Sequence, residues 1–180
     1  MELKIYNKTK YTKDDLQRFR QALGEKYLSF KEETVIAHYF LKDSLAKQFN
    51  KNFDEITIYK NEHGKPYCEY GIFFNISHSD NFIAIAFSND EIGVDIEYKR
   101  KINPKLLHKC FNECDFEFVD KSNFDGSFLR LWTTKEAYFK LIGTGITNLK
   151  SIDISEIYSN YVVETTETDN YILSIVTHKK

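Results

Sequence analysis

Along the chain the spacing of apolar residues switches repeatedly between strand-like and helix-like periods. "FIAIAFS" (Phe82 to Ser88) is almost continuously apolar, and "IGVDIE" (Ile92 to Glu97) alternates apolar residues with glycine and acids. Both patterns predict strands. "LKIY" near the start and "IFFNIS" (Ile72 to Ser77) read the same way. "ITIY" (Ile56 to Tyr59) is a shorter candidate before the turn-like "NEHGKP". The connection "NDE" is tight, so "IGVDIE" is expected to return antiparallel to "FIAIAFS". "KDDLQRFRQAL" predicts a helix with Thr12 as N-cap and Gly24 near its C-terminal end. A longer helix is expected from about Lys31 to Phe49, its apolar stripe formed by Val35, Ile36, Tyr39, Phe40, Leu45 and Phe49. Pro104 to Ile142 reads as mainly helical, followed by three strand-like runs, "SIDIS", "NYVVET" and "YILSIV".

Strand, helices and strands, then helices and strands again, predict an α+β fold of two similar lobes. The boundary is expected just after Glu97, in "YKRKINP", giving lobes 1–98 and 99–180. Composition adds little to this picture. With 42% hydrophobic and 16% aromatic residues, 180 residues are enough to bury a core. A formal net charge of −2 gives no global attraction to nucleic acid or membrane, so local cations must hold any anionic ligand. No stretch approaches the ~20 apolar residues of a membrane span. "MELKIYNKTK" lacks the apolar core of a secretion signal. Three cysteines argue against a disulfide framework, and a reducing, cytoplasmic location is expected. His108, Cys110 and Cys114 lie close together but lack a fourth zinc ligand at a usual spacing.

Candidate chemistry collects in four short stretches. In "IGVDIE" strand alternation puts Asp95 and Glu97 on one face, opposite Val94 and Ile96. Such a pair is either a solvated strand face or part of a site for a hard divalent cation. In "LWTTKEAYFKLIGTG", Glu136 and Lys140 stand one helical turn apart. They form a surface ion pair, or Glu136 is a third acid facing the other two, with Lys140 in reach of a phosphate oxygen. "FNISHS" (Phe74 to Ser79) is a polar strand end whose Ser77 and His78 can donate to phosphate. A Ser–His hydrolase is disfavoured, because catalytic pairs meet in space rather than in sequence. "GKP" (Gly64 to Pro66) is a turn with one cation, Lys65.

In this order and spacing the four stretches resemble the 4'-phosphopantetheinyl transferase superfamily, in its larger, surfactin-synthetase-activating branch. The resemblance spans Gly64 to Gly145 and implies two pseudo-symmetric α/β lobes, with mostly antiparallel sheets each packed by a long helix. It implies transfer of phosphopantetheine from coenzyme A to a serine of an acyl, peptidyl or polyketide carrier protein. By motif position, Asp95, Glu97 and Glu136 would bind Mg²⁺, with Mn²⁺ an equal fit to oxygen donors. Glu136, or a water held by it and the metal, would serve as base, and Lys140 as acid and pyrophosphate contact. Lys65, Ser77 and His78 would hold coenzyme A, with Asp95 and Lys140 beside it. His38 occupies the helix position where the branch usually carries a nucleotide-binding arginine, and is a weaker phosphate partner. Asp115 is the nearest match to an acid the family tends to carry before the middle helix. A monomer is expected, with a carrier-docking patch drawn from "YKRK" (Tyr98 to Lys101) or from the segment holding Phe111, Phe116, Phe118 and Phe124. Rival readings are a non-catalytic coenzyme A or nucleotide-binding module and a magnesium-dependent phosphodiesterase.

Overall fold

The computed structural model describes residues 1–145 and 148–180. Its first strand, β1 (Glu2–Asn7), leads into helices α1 (Lys13–Leu23) and α2 (Glu32–Phe49). A small ladder, β2 (Tyr59–Lys60) with β3 (Pro66–Tyr67), precedes β4 (Phe73–Ser79), β5 (Phe82–Ser88) and β6 (Ile92–Tyr98). Then come α3 (Lys105–Cys110), α4 (Phe124–Ile142), α5 (Ile154–Asn160), β7 (Tyr161–Glu167) and β8 (Tyr171–His178). Mixed helices and antiparallel sheets make this an α+β fold, as the order of elements predicts.

Helix α1 begins and ends at the predicted residues because both ends are written locally. Thr12 and Asp15 form a reciprocal capping box, and Gly24 follows the last turn with φ of 98°. Other expectations are corrected by the fold. β6 does not pair with β5: β5 lies between β1 and β4, so both of its edges are taken. β6 instead joins an antiparallel sheet in the order β6-β8-β7, with Asp95 opposite Ser174. "SIDIS" is not a strand, because Ile154 and Ile157 are buried at helical spacing and start α5. Of "ITIY", only Tyr59 enters a ladder.

Alternation along the strands sorts residues into three cores. Ile83, Ile85 and Phe87 of β5 pack with α1 and α2. Ala84 and Ala86 point the other way and meet Ile92, Val94 and Ile96 of β6 and Leu173 and Ile175 of β8. The opposite face of β8, through Ile172 and Val176, packs under α4 and α5. The two three-stranded sheets therefore lie back to back, with helices outside each. This leaves Gly93, Asp95 and Glu97 on the face of β6 turned away from the inter-sheet core.

α4 presses directly onto that face at one point. A Cβ on Gly93 would lie 1.9 Å from the Ala137 carbonyl oxygen and 2.6 Å from the Leu141 nitrogen. Ala137 is itself fully buried. This small-on-small contact brings Glu136 and Lys140, on either side of it in the helix, down to the acids of β6. Gly93→Ala must push the helix away against backbone atoms. The variant is expected to lose about 3 kcal/mol of stability in urea unfolding, at the upper end of overpacking costs; an unchanged midpoint would refute the close contact.

Candidate active site

The site is built where the edges of the two sheets meet. β4 and β6 share no backbone ladder, yet β4 side chains satisfy the β6 edge. Asn75 Oδ1 accepts from Val94 N (3.3 Å), Ser77 Oγ from Ile96 N (3.3 Å) and Ser79 Oγ from Tyr98 N (3.1 Å). Every second residue of β4 thus stands in for a missing strand carbonyl. The serines also donate: Ser77 to Asp95 Oδ1 (2.7 Å) and Ser79 to Glu97 Oε2 (2.8 Å).

Asp95 is almost wholly buried, at 2% exposure. Lys140 Nζ donates to its Oδ1 at 2.6 Å and to Ser77 Oγ at 2.8 Å. Its other oxygen, Oδ2, is buried without a hydrogen-bond partner. Burial pushes the Asp95 carboxyl up, while Lys140 and Ser77 pull it down. Glu97 is held by Ser79 and by Arg100, whose Nη1 reaches Oε2 at 2.6 Å. Glu136 is pushed up to about 7 by burial first and then by the charge of Asp95; Glu97 adds to this and Lys140 opposes it. The buried Trp132 indole N–H, one turn back, makes no hydrogen bond in this structure. Asp95, Glu97 and Lys140 are thus all close enough for their charges to act on Glu136.

Among the described residues no group of three or more His, Cys, Asp or Glu side chains stands ready to hold a metal ion. Asp95 and Glu97 are each engaged with a protein cation. Their chemistry still fits a divalent cation. A buried, unpaired carboxylate oxygen carries a desolvation cost, and a third acid is driven toward neutrality beside it. A cation bound by carboxylate oxygens would relieve both.

Lys140 also lines a cleft of about 240 Å³ with Lys65, Asn75, Ile76, Phe139 and Gly143. Lys65 Nζ donates to the Leu141 carbonyl at 2.7 Å, closing the C-terminal end of α4, where a cation is favoured. Burial pulls its ammonium pKa down. Ser77 is buried and committed to Asp95, Lys140 and Ile96, whereas His78 is exposed on the other face of β4. His38 is not brought to the acids. Its Nδ1 donates to the Thr34 carbonyl at 2.8 Å, leaving Nε2 as the second ring nitrogen. Burial, helped by the charges of Lys60 and Lys26, holds its pKa down against that hydrogen bond.

Asp115 lies outside the site. It is fully buried, ion-paired with Lys135, and accepts from Ile154 N at 2.9 Å. Lys135 also donates to the carbonyls of Leu149 (3.0 Å) and Ile152 (2.7 Å). Of the phenylalanines considered for docking, Phe111 is core and Phe118 is exposed. Sequence reasoning did not assign Ser79 and Arg100 to Glu97, placing Arg100 in the docking run "YKRK" instead, and it missed Lys135. The period-two run Asn75, Ser77, Ser79 is the one signal that pointed to the serine.

Residues 91–176, from β6 through β8, match the 4'-phosphopantetheinyl transferase superfamily. The chain is 30% identical over 141 residues to the 4'-phosphopantetheinyl transferase gsp of Aneurinibacillus migulanus, covering 76% of this chain and 60% of that protein. Over this stretch the chain is similar to the 4'-phosphopantetheinyl transferase superfamily. A second relative of this superfamily, Sfp of Bacillus subtilis (strain 168), is 28% identical over 120 residues, or 63% of this chain and 53% of Sfp. AcpT of Escherichia coli (strain K12) is 32% identical over 127 residues, or 64% of this chain and 63% of AcpT. The chain thus spans between half and two thirds of the length of these superfamily members. The superfamily match begins at Glu91, and so includes Asp95, Glu97, Glu136 and Lys140.

Proposed function

We propose that this protein transfers 4'-phosphopantetheine from coenzyme A to a serine of an acyl, peptidyl or polyketide carrier protein, releasing 3',5'-bisphosphoadenosine. The observation that carries the reading is the Asp95 carboxylate, buried beside Lys140 with one oxygen unpaired and close to a Glu136 held near 7. Asp95, Glu97 and Glu136 are the proposed holders of Mg²⁺ or Mn²⁺. When bound there, the ion supplies Lewis-acid neutralisation of pyrophosphate charge.

The chain's own groups account for positioning and proton movement, which dominate phosphoryl transfer. The carrier serine oxygen attacks the β-phosphorus of coenzyme A, and the bond to the bridging oxygen breaks. Glu136, with a pKa near neutrality, takes the serine proton. Lys140, on the cleft wall, contacts the pyrophosphate and gives a proton to the departing bisphosphoadenosine. Ser77 acts by fixing Asp95 and Lys140. Lys65 and His78 are proposed for the coenzyme A phosphates. His38, beside Lys26 and Lys60, takes the place of the branch's arginine near the nucleotide end.

The two three-stranded sheets, each with a long helix on its outer face, support a pseudo-symmetric pair of lobes, 1–98 and 99–180. In that division β6 precedes the boundary yet bonds into the second sheet. A groove of about 340 Å³ lined by Arg100, Lys101, Leu106, Lys109, Phe128 and Trp132 suits an acidic, partly apolar carrier surface. A monomeric, cytoplasmic enzyme is proposed; the three cysteines are free, as a reducing compartment keeps them.

The test is mass spectrometry of a panel of apo-carrier proteins incubated with coenzyme A, Mg²⁺ and this protein. At least one carrier is expected to gain phosphopantetheine. Coenzyme A binding without transfer to any carrier would favour a binding module instead. Cleavage of simple phosphodiesters without a carrier would favour a phosphodiesterase.

A further inference from the structure

The two acids of β6 are held by the same device, repeated one pleat apart. Asp95 receives two donors on a single oxygen: Ser77 at 2.7 Å and Lys140 at 2.6 Å meet at Oδ1. Oδ2 is left buried and unpartnered. Glu97 likewise receives Ser79 at 2.8 Å and Arg100 at 2.6 Å, both on Oε2. Among the described residues no hydrogen bond reaches its Oε1. Each acid therefore has a serine and a cation on one oxygen and, among the described residues, no hydrogen-bond partner on the other.

The serines cannot turn freely. Ser77 Oγ also accepts from Ile96 N, and Ser79 Oγ from Tyr98 N. Each serine is pinned by the N–H one residue beyond the acid it holds. Its hydrogen is thereby directed at the carboxylate. A glutamate side chain otherwise samples many rotamers, and ordering it on binding costs free energy. Holding it beforehand is how an outer contact sets the affinity of an inner ligand.

We propose that Ser79 is a positioning residue for Glu97, fixing Oε2 so that Oε1 is presented to a divalent cation. The inference rests on the metal-holding role proposed above for Asp95, Glu97 and Glu136. Ser79 touches neither the ion nor the substrate; it acts through Glu97. Arg100 holds the same oxygen as an exposed counter-ion, whereas Ser79 does so from within the β4–β6 junction.

The experiment titrates Mn²⁺ into the full chain without coenzyme A and reads free Mn²⁺ by electron paramagnetic resonance. Melting temperature is recorded on the same metal-free samples. Ser79→Ala is expected to weaken Mn²⁺ binding about tenfold or more, the usual effect of losing an outer-shell hydrogen bond. Ser79→Thr, which keeps the hydroxyl, is expected to restore binding to near the parent. If Ser79→Ala lowers the melting temperature yet binds Mn²⁺ like the parent, Ser79 is merely structural and the inference falls. Equal loss in the Ala and Thr variants overturns it too, since packing rather than the hydroxyl would be responsible. No Mn²⁺ uptake by the parent would remove the metal site itself. Parent binding with an indifferent Ser79→Ala removes only the positioning role.

Discussion

Replacing Glu136 by Gln is expected to lower the rate of phosphopantetheine transfer by at least about 10²-fold while making the metal-free protein more stable at pH 8. The first effect follows from removing a base and a charged oxygen donor from a phosphoryl-transfer site. The second follows from the direction of its titration. The Glu136 carboxyl sits at about 7 in the fold against an ordinary value of 4.5. A raised carboxyl pKa means that the folded state holds a proton that the unfolded state has released. Its stabilising contribution is complete below pH 4.5 and is lost as pH rises through about 7. Above that window the folded protein carries a buried charge beside Asp95 and Glu97 at a cost of up to about 3 kcal/mol.

Glutamine does not titrate. The variant and the parent should therefore melt at similar temperatures near pH 4.5 and diverge toward pH 8, with the variant higher. Adding Mg²⁺ or Mn²⁺ at pH 8 should raise the melting temperature of the parent and leave the variant nearly unmoved, because only the parent gains a bound ion. Calorimetry or fluorescence melts across pH 4.5 to 8, with and without the ion, read all of this. Parallel pH profiles for the two proteins would show that Glu136 is not held near neutrality. Near-normal transfer by the variant would remove it from the chemistry.

Lys135→Met is expected to cost about 3–5 kcal/mol, the penalty for leaving one member of a buried ion pair alone. Lys135 and Asp115 have no exposed side-chain surface, so no solvent can replace the lost partner. The lysine also satisfies the carbonyls of Leu149 and Ile152, and Asp115 accepts from the Ile154 N–H at the start of α5. Removing the ammonium strips three acceptors at once. Against a total stability of about 5–15 kcal/mol, the variant should unfold at much lower urea concentration. The double variant Lys135→Met with Asp115→Leu should recover part of the loss, because no charge remains buried, but not all of it, because backbone groups lose their acceptor. Urea midpoints of both singles and the double read the coupling. A Lys135→Met midpoint within about 1 kcal/mol of the parent would mean the pair is not closed to water.

Much of this was legible locally because the controlling interactions are local. α1 lies where Thr12, Asp15 and Gly24 predict it. β5 occupies "FIAIAFS" residue for residue, and the alternation of β6 separates Val94 and Ile96 from Asp95 and Glu97. Errors arose where a distant segment decided. β6 passes over its neighbour in sequence for β8 near the other end of the chain, since β5 had no free edge. Asp115 looked like a site acid, yet the segment before α4 carries it into a core with Lys135. Lys135, beside Glu136 in sequence, points into that core, and helical geometry separates the fates of adjacent residues.

The amino-acid sequence by itself determined which groups are available and which faces of their own elements they share. It put two acids on one side of a strand, and a third acid with a lysine one helical turn apart. Only the tertiary structure decided that these meet. That decision depends on Gly93 admitting α4 to the surface of β6, and on Asn75, Ser77 and Ser79 bonding one sheet edge to the other. Side-chain period is a property of the backbone and can be read along the chain. The meeting of two surfaces depends on volumes and unsatisfied hydrogen-bonding groups from segments far apart, and these take effect only when the chain has closed on itself.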